Sequence, residues 1–84
     1  MHARGDLAEA ETALAQAAKT LRDAGNPFAH ARALLDDGIV LIALGRNGEA
    51  TAVLQKARSL FTQLGATPWV ERTDATLGRL AAVV

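Results

Sequence analysis

Residues 34–45 read LLDDGIVLIALG, and this stretch decides how the rest of the chain packs. Up to Leu35 the apolar residues recur at helical steps, whereas six apolar residues follow one another without a break at positions 39–44. A helix on the surface keeps a polar face, so a stretch that is apolar on all sides is typical of a central helix. We therefore predict that this segment is the second half of a helix packed on more than one side.

Glycine, asparagine and proline mark the ends of four predicted helices. Asp6 with Glu9 three residues later is a capping-box arrangement and predicts the start of the first helix, which Gly25 ends. Asn26 followed by Pro27 is a strong start signal for the second helix. The predicted helices cover about residues 6–24, 27–44, 48–64 and 68–82.

The remaining breaks follow the same logic. Gly45 and Gly65 are predicted to end the second and third helices, with a tight turn at positions 46–48, and Thr67-Pro68 repeats the cap-plus-proline signal. The apolar positions predicted for the core at helical spacing are Leu7, Ala10, Leu14, Ala17 and Leu21 in the first helix, Ala50, Val53, Leu54, Ala57, Leu60, Phe61 and Leu64 in the third, and Val70, Thr73, Leu77, Leu80, Ala81 and Val84 in the fourth.

One glycine lies inside a predicted helix. Gly38 occupies the middle of the second helix, where glycine costs about 1 kcal/mol relative to alanine. A packing reason is therefore expected, and we predict that a neighbouring helix approaches closely at this residue.

Composition limits the function classes. The 84 residues correspond to a single domain covering 1–84, and hydrophobic residues make up 50% of them. Nine basic and nine acidic residues cancel, so the basic excess of a nucleic-acid-binding protein is missing and no direct nucleic-acid contact is expected. There is no cysteine, signal-peptide pattern or membrane-length apolar run, so we expect a cytoplasmic protein without membrane contact.

No pattern of catalytic or ligand-binding residues is visible, so we expect no enzyme activity, cofactor or metal. Asp36 and Asp37 are adjacent and point about 100° apart on a helix, which favours a solvated pair with Arg32 bonded to Asp36 over a carboxylate dyad; a partner contact is the alternative. His2 and His30 lack a second ligand at metal-binding spacing, and we expect His30 to be a surface or half-buried residue.

The chain repeats itself after forty residues. The repeat unit is a helix–turn–helix pair, as in stacked helical arrays. The matched pairs are Gly5 with Gly45, Glu9 with Glu49, Ala10 with Ala50, Leu14 with Leu54, Ala17 with Ala57, Leu21 with Phe61, Gly25 with Gly65, and Gly38 with Gly78. Pro27-Phe28 matches Pro68-Trp69 after a slip of one residue.

The unit resembles tetratricopeptide repeats. Ala50 follows Gly38 by twelve residues and Ala57 follows Ala50 by seven, which is the spacing of that family's small residues. The family's large apolar positions hold Leu34, Leu41 and Leu54. Asp37 stands where leucine is usual and the period exceeds 34 residues, so the resemblance is to a longer relative. It implies an all-α fragment of an α-solenoid with four helices.

Two segments are similar to the end of the helical-repeat region of large LuxR-type transcriptional regulators. They are AGNPFAHARALL at positions 24–35 and ARSLFTQLGATPWVERTDATLGRL at positions 57–80. The resemblance implies a non-catalytic protein–protein interaction or signal-relay segment. The regulators' ATPase and DNA-binding parts are not covered, so neither nucleotide nor DNA binding is carried over to any residue.

The resemblance also implies a concave groove lined by the first helix of each pair. Arg32, Leu35, Ile39 and Ile42 would face it and suit an amphipathic helix or an extended peptide. The alternative is that these four residues pack on the neighbouring helices.

The fourth helix carries further candidate partner-binding residues. Trp69 is expected either to pack on the preceding helix or to contact a partner. Leu77 and Leu80 form either the last core-facing stripe or an exposed self-association surface. The expected partner is accordingly a protein, either another domain of a longer chain or a second copy, and a stand-alone homodimerisation or adaptor module is the alternative function.

Overall fold

The computed structural model describes the backbone of residues 4–83 and the side chains of residues 5–81. It contains α1 (Arg4–Asp23), α2 (Pro27–Ala43), α3 (Asn47–Gln63) and α4 (Thr67–Val83). No strand occurs in these residues, so the predicted all-α class is confirmed. The predicted positions of His2 and Val84 lie outside the described side chains.

Three similar connections join the helices. Gly25, Gly45 and Gly65 follow one another at intervals of twenty residues and adopt φ values of 74°, 77° and 68°. In each loop the glycine N–H and the next N–H donate back to carbonyls of the last turn, as in the bond from Asn26 N to Leu21 O of 3.0 Å. This closure needs a left-handed residue, which glycine adopts without strain, so the predicted helix ends are confirmed.

The helix starts agree less well with the sequence. Asn26 caps α2 as predicted, since its side chain accepts from Ala29 N at 3.2 Å. Asp6 does not cap α1, because the helix already includes Arg4; its carboxylate lies in the first turn, where the helix dipole still favours a negative charge. The predicted turn at 46–48 is also wrong, since α3 begins at Asn47 and the turn lies two residues earlier, at 44–46. Likewise, α4 includes Thr67 instead of starting after it.

Helix α2 is the centre of the molecule. It packs along α1 and α3 and touches α4, whereas α4 packs mainly on α3. The largest completely buried side chains are Phe61, Leu54 and Thr73. The core also includes Ala18, Ala31, Ala33, Leu34, Leu35, Leu41, Ala50, Ala57 and Leu80.

Gly38 lies at the closest approach of two helices. A Cβ atom on this residue would be 2.5 Å from Cδ2 of Leu54, a side chain with 0% exposure. The prediction of a close helix neighbour is therefore confirmed, and the missing side chain lets α2 and α3 interlock.

The apolar run that ends α2 is only partly enclosed. Leu41 and Leu44 are buried, but Ile39 remains 48% exposed and Ala43 is exposed as well. The expectation that α2 packs on more than one side is confirmed, because it contacts α1, α3 and α4, but the side that faces α4 is covered least. Leu64, predicted in the core, is 42% exposed because it is the C-cap residue beyond the last turn of α3.

Candidate docking groove between α2 and α4

A groove runs between α2 and α4. One cleft of about 310 Å³ is lined by Ile39, Ile42, Ala43, Thr76, Arg79 and Leu80. A second cleft of about 270 Å³ is lined by Arg32, Leu35, Asp36, Ile39, Trp69, Arg72 and Thr76. The two clefts share Ile39 and Thr76, so they form one continuous groove along both helices.

Helical periodicity explains why these side chains meet. The lining positions of each helix, single residues or adjacent pairs, recur every three or four residues, which places them on one helix face. On α4 the series includes Trp69, Arg72, Thr76 and Arg79. The groove is therefore formed by equivalent faces of two helices that stand forty residues apart in the sequence.

All four residues predicted to face a groove do line it. Ile39 and Ile42 contribute accessible apolar surface, whereas Leu35 is only 4% exposed and forms part of the floor. Sequence reasoning did not single out Arg72 or Arg79. The forty-residue shift contained the signal for the first of them, since it maps Arg32 onto Arg72.

The two leucines predicted at the partner surface of α4 differ in exposure. Leu80 is 6% exposed and belongs to the core, although it still borders the groove. Leu77 is half-buried, and both leucines line a cavity between α3 and α4. The structure therefore does not show an exposed strip made by both leucines, because Leu80 is buried.

Trp69 packs in an aromatic cluster at one end of the groove. Its ring stacks on Phe61 with a centroid distance of 5.5 Å and meets the edge of Phe28 at 5.6 Å. The guanidinium groups of Arg32 and Arg72 lie 5.1 and 4.9 Å from the centroid of the indole ring. Trp69 thus packs on the preceding helix and, being half-buried, also presents surface to the groove.

The groove carries a positive charge excess. Arg32, Arg72 and Arg79 border it, and the only carboxylate among its lining residues is Asp36. The predicted pair of Arg32 with Asp36 is wrong, because the guanidinium lies at Trp69 and forms no ion pair with any side chain that the structure describes. Ion pairs of the described side chains use other arginines, so the groove arginines keep their charge available for a ligand.

Asp37 lies on the opposite side of α2 and is buried. Only 3% of it is exposed, so the predicted solvated Asp36–Asp37 pair is wrong for Asp37. Its Oδ1 atom has no hydrogen-bond partner among the described residues. Burial is the main reason that the pKa of Asp37 is raised to about 7. A hydrogen bond to Glu11 and the negative charges of Glu11 and Glu49 raise this pKa further, whereas the positive charge of Arg46 lowers it.

An ion-pair cluster covers this buried acid. Arg46 lies 3.5 Å from Glu11 and also pairs with Glu49. The hydrogen bond that Arg46 donates to Glu49 lowers the pKa of Glu49 and raises the pKa of Arg46. The cluster joins the start of α3 to α1. Among the described residues, no group of three side chains suited to a metal ion occurs.

His30 is half-buried, as predicted, and its Nδ1 atom lies 2.7 Å from the carbonyl oxygen of Ala18.

In the described part of the chain, each helix is too short or too polar to cross a membrane. Comparison of the chain with protein-family models, with curated proteins and with solved structures gives no match.

Proposed function

We propose that this chain is a non-catalytic, tetratricopeptide-like interaction module that binds an amphipathic protein segment with acidic side chains in the groove between α2 and α4. The observation that carries this function is the exposed Ile39, at 48%, beside three arginines and a single carboxylate. An apolar floor supplies affinity, and the arginines select and orient an acidic ligand.

The helix arrangement supports the repeat interpretation. Consecutive helices pack on one another, and α2 and α4, which would be the first helices of successive repeats, touch each other. In a helical solenoid the equivalent helices of successive repeats line one surface, which serves for binding. In this interpretation the groove between α2 and α4 lies on that surface.

The proposal extends to the parent protein. The sequence similarity to the repeat region of LuxR-type regulators makes this module a candidate segment that relays signals between other domains in the cytoplasm. A parent reading frame with an ATPase upstream and a helix-turn-helix downstream would support this assignment. A parent frame without either domain would contradict it.

Groove binding is tested with designed peptides. Two matched sets of amphipathic peptides, one acidic and one basic on the polar face, are titrated while the fluorescence of Trp69, the only tryptophan, is recorded. Acidic peptides are expected to bind and basic ones are not. Ile39→Gln should weaken binding at least tenfold, because about 1.4 kcal/mol of apolar contact corresponds to that factor. Ala52→Gln, an exposed change on α3, is the control. Equal binding of both peptide sets would contradict the proposal.

A stand-alone self-association module is the second candidate function. The observation that favours it is a cavity of about 620 Å³ between α3 and α4, lined on α4 by Leu77, Leu80 and Ala81. An apolar cavity on a helix pair is a natural docking place for another helix. A molecular mass that rises with concentration in light scattering would support this function, and a constant monomer mass would contradict it.

A further inference from the structure

Helices α1 and α3 have matching apolar positions but different environments. The four core residues of α3, each with 0% exposure, are Ala50, Leu54, Ala57 and Phe61. Their counterparts forty residues earlier, all only half-buried, are Ala10, Leu14, Ala17 and Leu21. The difference has a direct cause, since α3 packs between α2 and α4, whereas α1 packs on α2 alone.

The two matching glycines of the repeat, Gly38 and Gly78, also differ in their surroundings. Gly38 on α2 receives Leu54 of α3 so closely that a Cβ would lie 2.5 Å from that side chain. Gly78, its counterpart on α4, has no heavy atom within 4 Å of a Cβ position. Helix α4 therefore has the same glycine notch as α2, meaning the gap left by the missing side chain, but no leucine fills it.

The chain itself carries a leucine with the right surroundings. Leu14 is the counterpart of Leu54, and a half-buried residue on α1 retains free surface. We propose that α1 of a second copy docks on α4, with its Leu14 at Gly78, in the way that α3 docks on α2. This inference gives the self-association proposal a specific geometry on the side of α4 that carries Gly78; Arg79, at its flank, also borders the groove between α2 and α4.

The charges of the two helices agree with this docking. Phe28 at the start of α2 meets Phe61 at the end of α3, with ring centroids 5.9 Å apart, so this helix pair is antiparallel. In the equivalent pair, the start of α1 from the second copy lies at the end of α4, and the end of α1 lies at the start of α4. Opposite charges then meet at both ends.

The residues that would meet are exposed in the monomer. Asp6 and Glu9 near the start of α1 approach Arg79 near the end of α4. Lys19 near the end of α1 approaches Glu71 near the start of α4. A parallel arrangement would instead bring acids toward acids, so electrostatics favours the antiparallel one.

The residue at position 77 suits the surface of α4 around Gly78 to α1 of a second copy. On α2 the equivalent position holds the buried Asp37, and the helix that packs there brings Arg46 close to it. On α4 the position holds Leu77, which lines the cavity of about 620 Å³ between α3 and α4. Since α1 has Asp6 at the position that matches Arg46, an apolar residue at 77 avoids repulsion between two carboxylates.

The proposed contact joins two different surfaces, so it is heterologous. Each copy offers one α1 and one α4, and the assembly grows head to tail. Blocking either surface on every copy therefore abolishes all contacts. Mixing copies blocked at opposite surfaces restores one contact and gives a 1:1 complex.

This property provides the test. Gly78→Gln fills the open notch on α4, and Ala13→Arg places a large charge on the exposed face of α1 that matches Val53 of α3. Wild type is expected to show a mass that increases with concentration in sedimentation experiments. Each variant alone should remain a monomer, and an equimolar mixture should reach twice the monomer mass.

Control measurements separate folding from assembly. Circular dichroism should show the same helix content in both variants, because both positions are exposed, and Ala52→Gln should assemble like wild type. A wild type that stays monomeric at millimolar concentration would overturn self-association altogether. Variants that still assemble, or a mixture that stays monomeric while wild type assembles, would overturn the head-to-tail geometry but leave another form of self-association standing.

Discussion

The hairpin of α1 and α2 and the hairpin of α3 and α4 have the same repeat pattern but different neighbours. Leu54 in the second hairpin is completely buried, whereas Leu14 at the matching position of the first is half-exposed. Gly38 is filled by a neighbour, whereas Gly78 is open. The comparison shows that position in the stack, more than the local sequence, determines how strongly each residue contributes to stability.

The largest expected contrast concerns the two leucines. Leu54→Ala leaves a cavity against Gly38 and should lower the free energy of unfolding by about 2–5 kcal/mol. Leu14→Ala removes the same atoms from a half-exposed site and should cost about 1 kcal/mol, since less apolar surface was buried there. Urea denaturation followed by circular dichroism measures both. Equal losses would show that the two helices have equivalent environments and would contradict the comparison.

The next contrast concerns Asp37 and its exposed neighbour Asp36. The pKa of Asp37 is raised from 3.8 to about 7, so the folded state holds its proton more tightly than the unfolded state does. The stabilisation from this proton is complete below about pH 4 and is lost as the pH rises through about 7. Asp37→Asn removes the buried charge and should raise the free energy of unfolding at pH 8 by about 2 kcal/mol.

The measurement compares wild type, Asp37→Asn and Asp36→Asn across this pH range. Other carboxylates titrate in all three proteins, so the difference in the free energy of unfolding between wild type and Asp37→Asn isolates the effect of the Asp37 carboxyl group. That difference should shrink toward zero from pH 8 to pH 4. Asp36→Asn should follow wild type, because Asp36 is exposed. Parallel pH curves for wild type and Asp37→Asn would show that the carboxylate is not held in its neutral form.

The third contrast concerns the two glycines and predicts effects of opposite sign. Gly38→Ala places a methyl group against Leu54, and overpacking of this kind costs about 1–3 kcal/mol, partly offset by the better helix propensity of alanine. We expect a net loss of about 1 kcal/mol. Gly78→Ala meets no atom and should gain up to about 1 kcal/mol from helix propensity alone. Thermal and urea unfolding measure both, and a gain at Gly38 would contradict the close approach.

Much of this architecture was accessible from the sequence because it depends on local rules. Gly25 and Asn26 act through the backbone of adjacent turns, so their roles could be predicted from neighbouring residues alone. The role of Gly38 was also predictable, since an interior glycine implies a close neighbour. The four groove positions on α2 came from the resemblance to tetratricopeptide repeats and not from the residues alone.

The remaining features depend on contacts between distant residues. Asp37 is buried against Glu11 and Arg46, which no local pattern connects to it. Ile39 and Leu41 belong to one apolar run, yet only Leu41 is buried, because α1 and α3 cover their side of α2 more fully than α4 covers its own. Burial within an all-apolar run is decided by which neighbour covers each side, and that information lies outside the run.

The smallest expected effects concern the two arginines that match each other across the repeat and converge on Trp69. Arg32→Met and Arg72→Met keep much of the aliphatic contact but remove the charge near the indole ring, and each should cost about 0.5 kcal/mol at these partly exposed sites. Unfolding monitored by Trp69 fluorescence reports both stability and the environment of the ring. Arg79→Met is the matched control, because Arg79 borders the same groove without a described contact to the tryptophan. A loss at Arg79 as large as at the other two would attribute the effect to the general charge of the groove. Losses confined to Arg32 and Arg72 would assign the effect to the indole ring, and the loss at Arg32 would show that α2 is tied to α4 there, since Arg72 and Trp69 lie on the same helix.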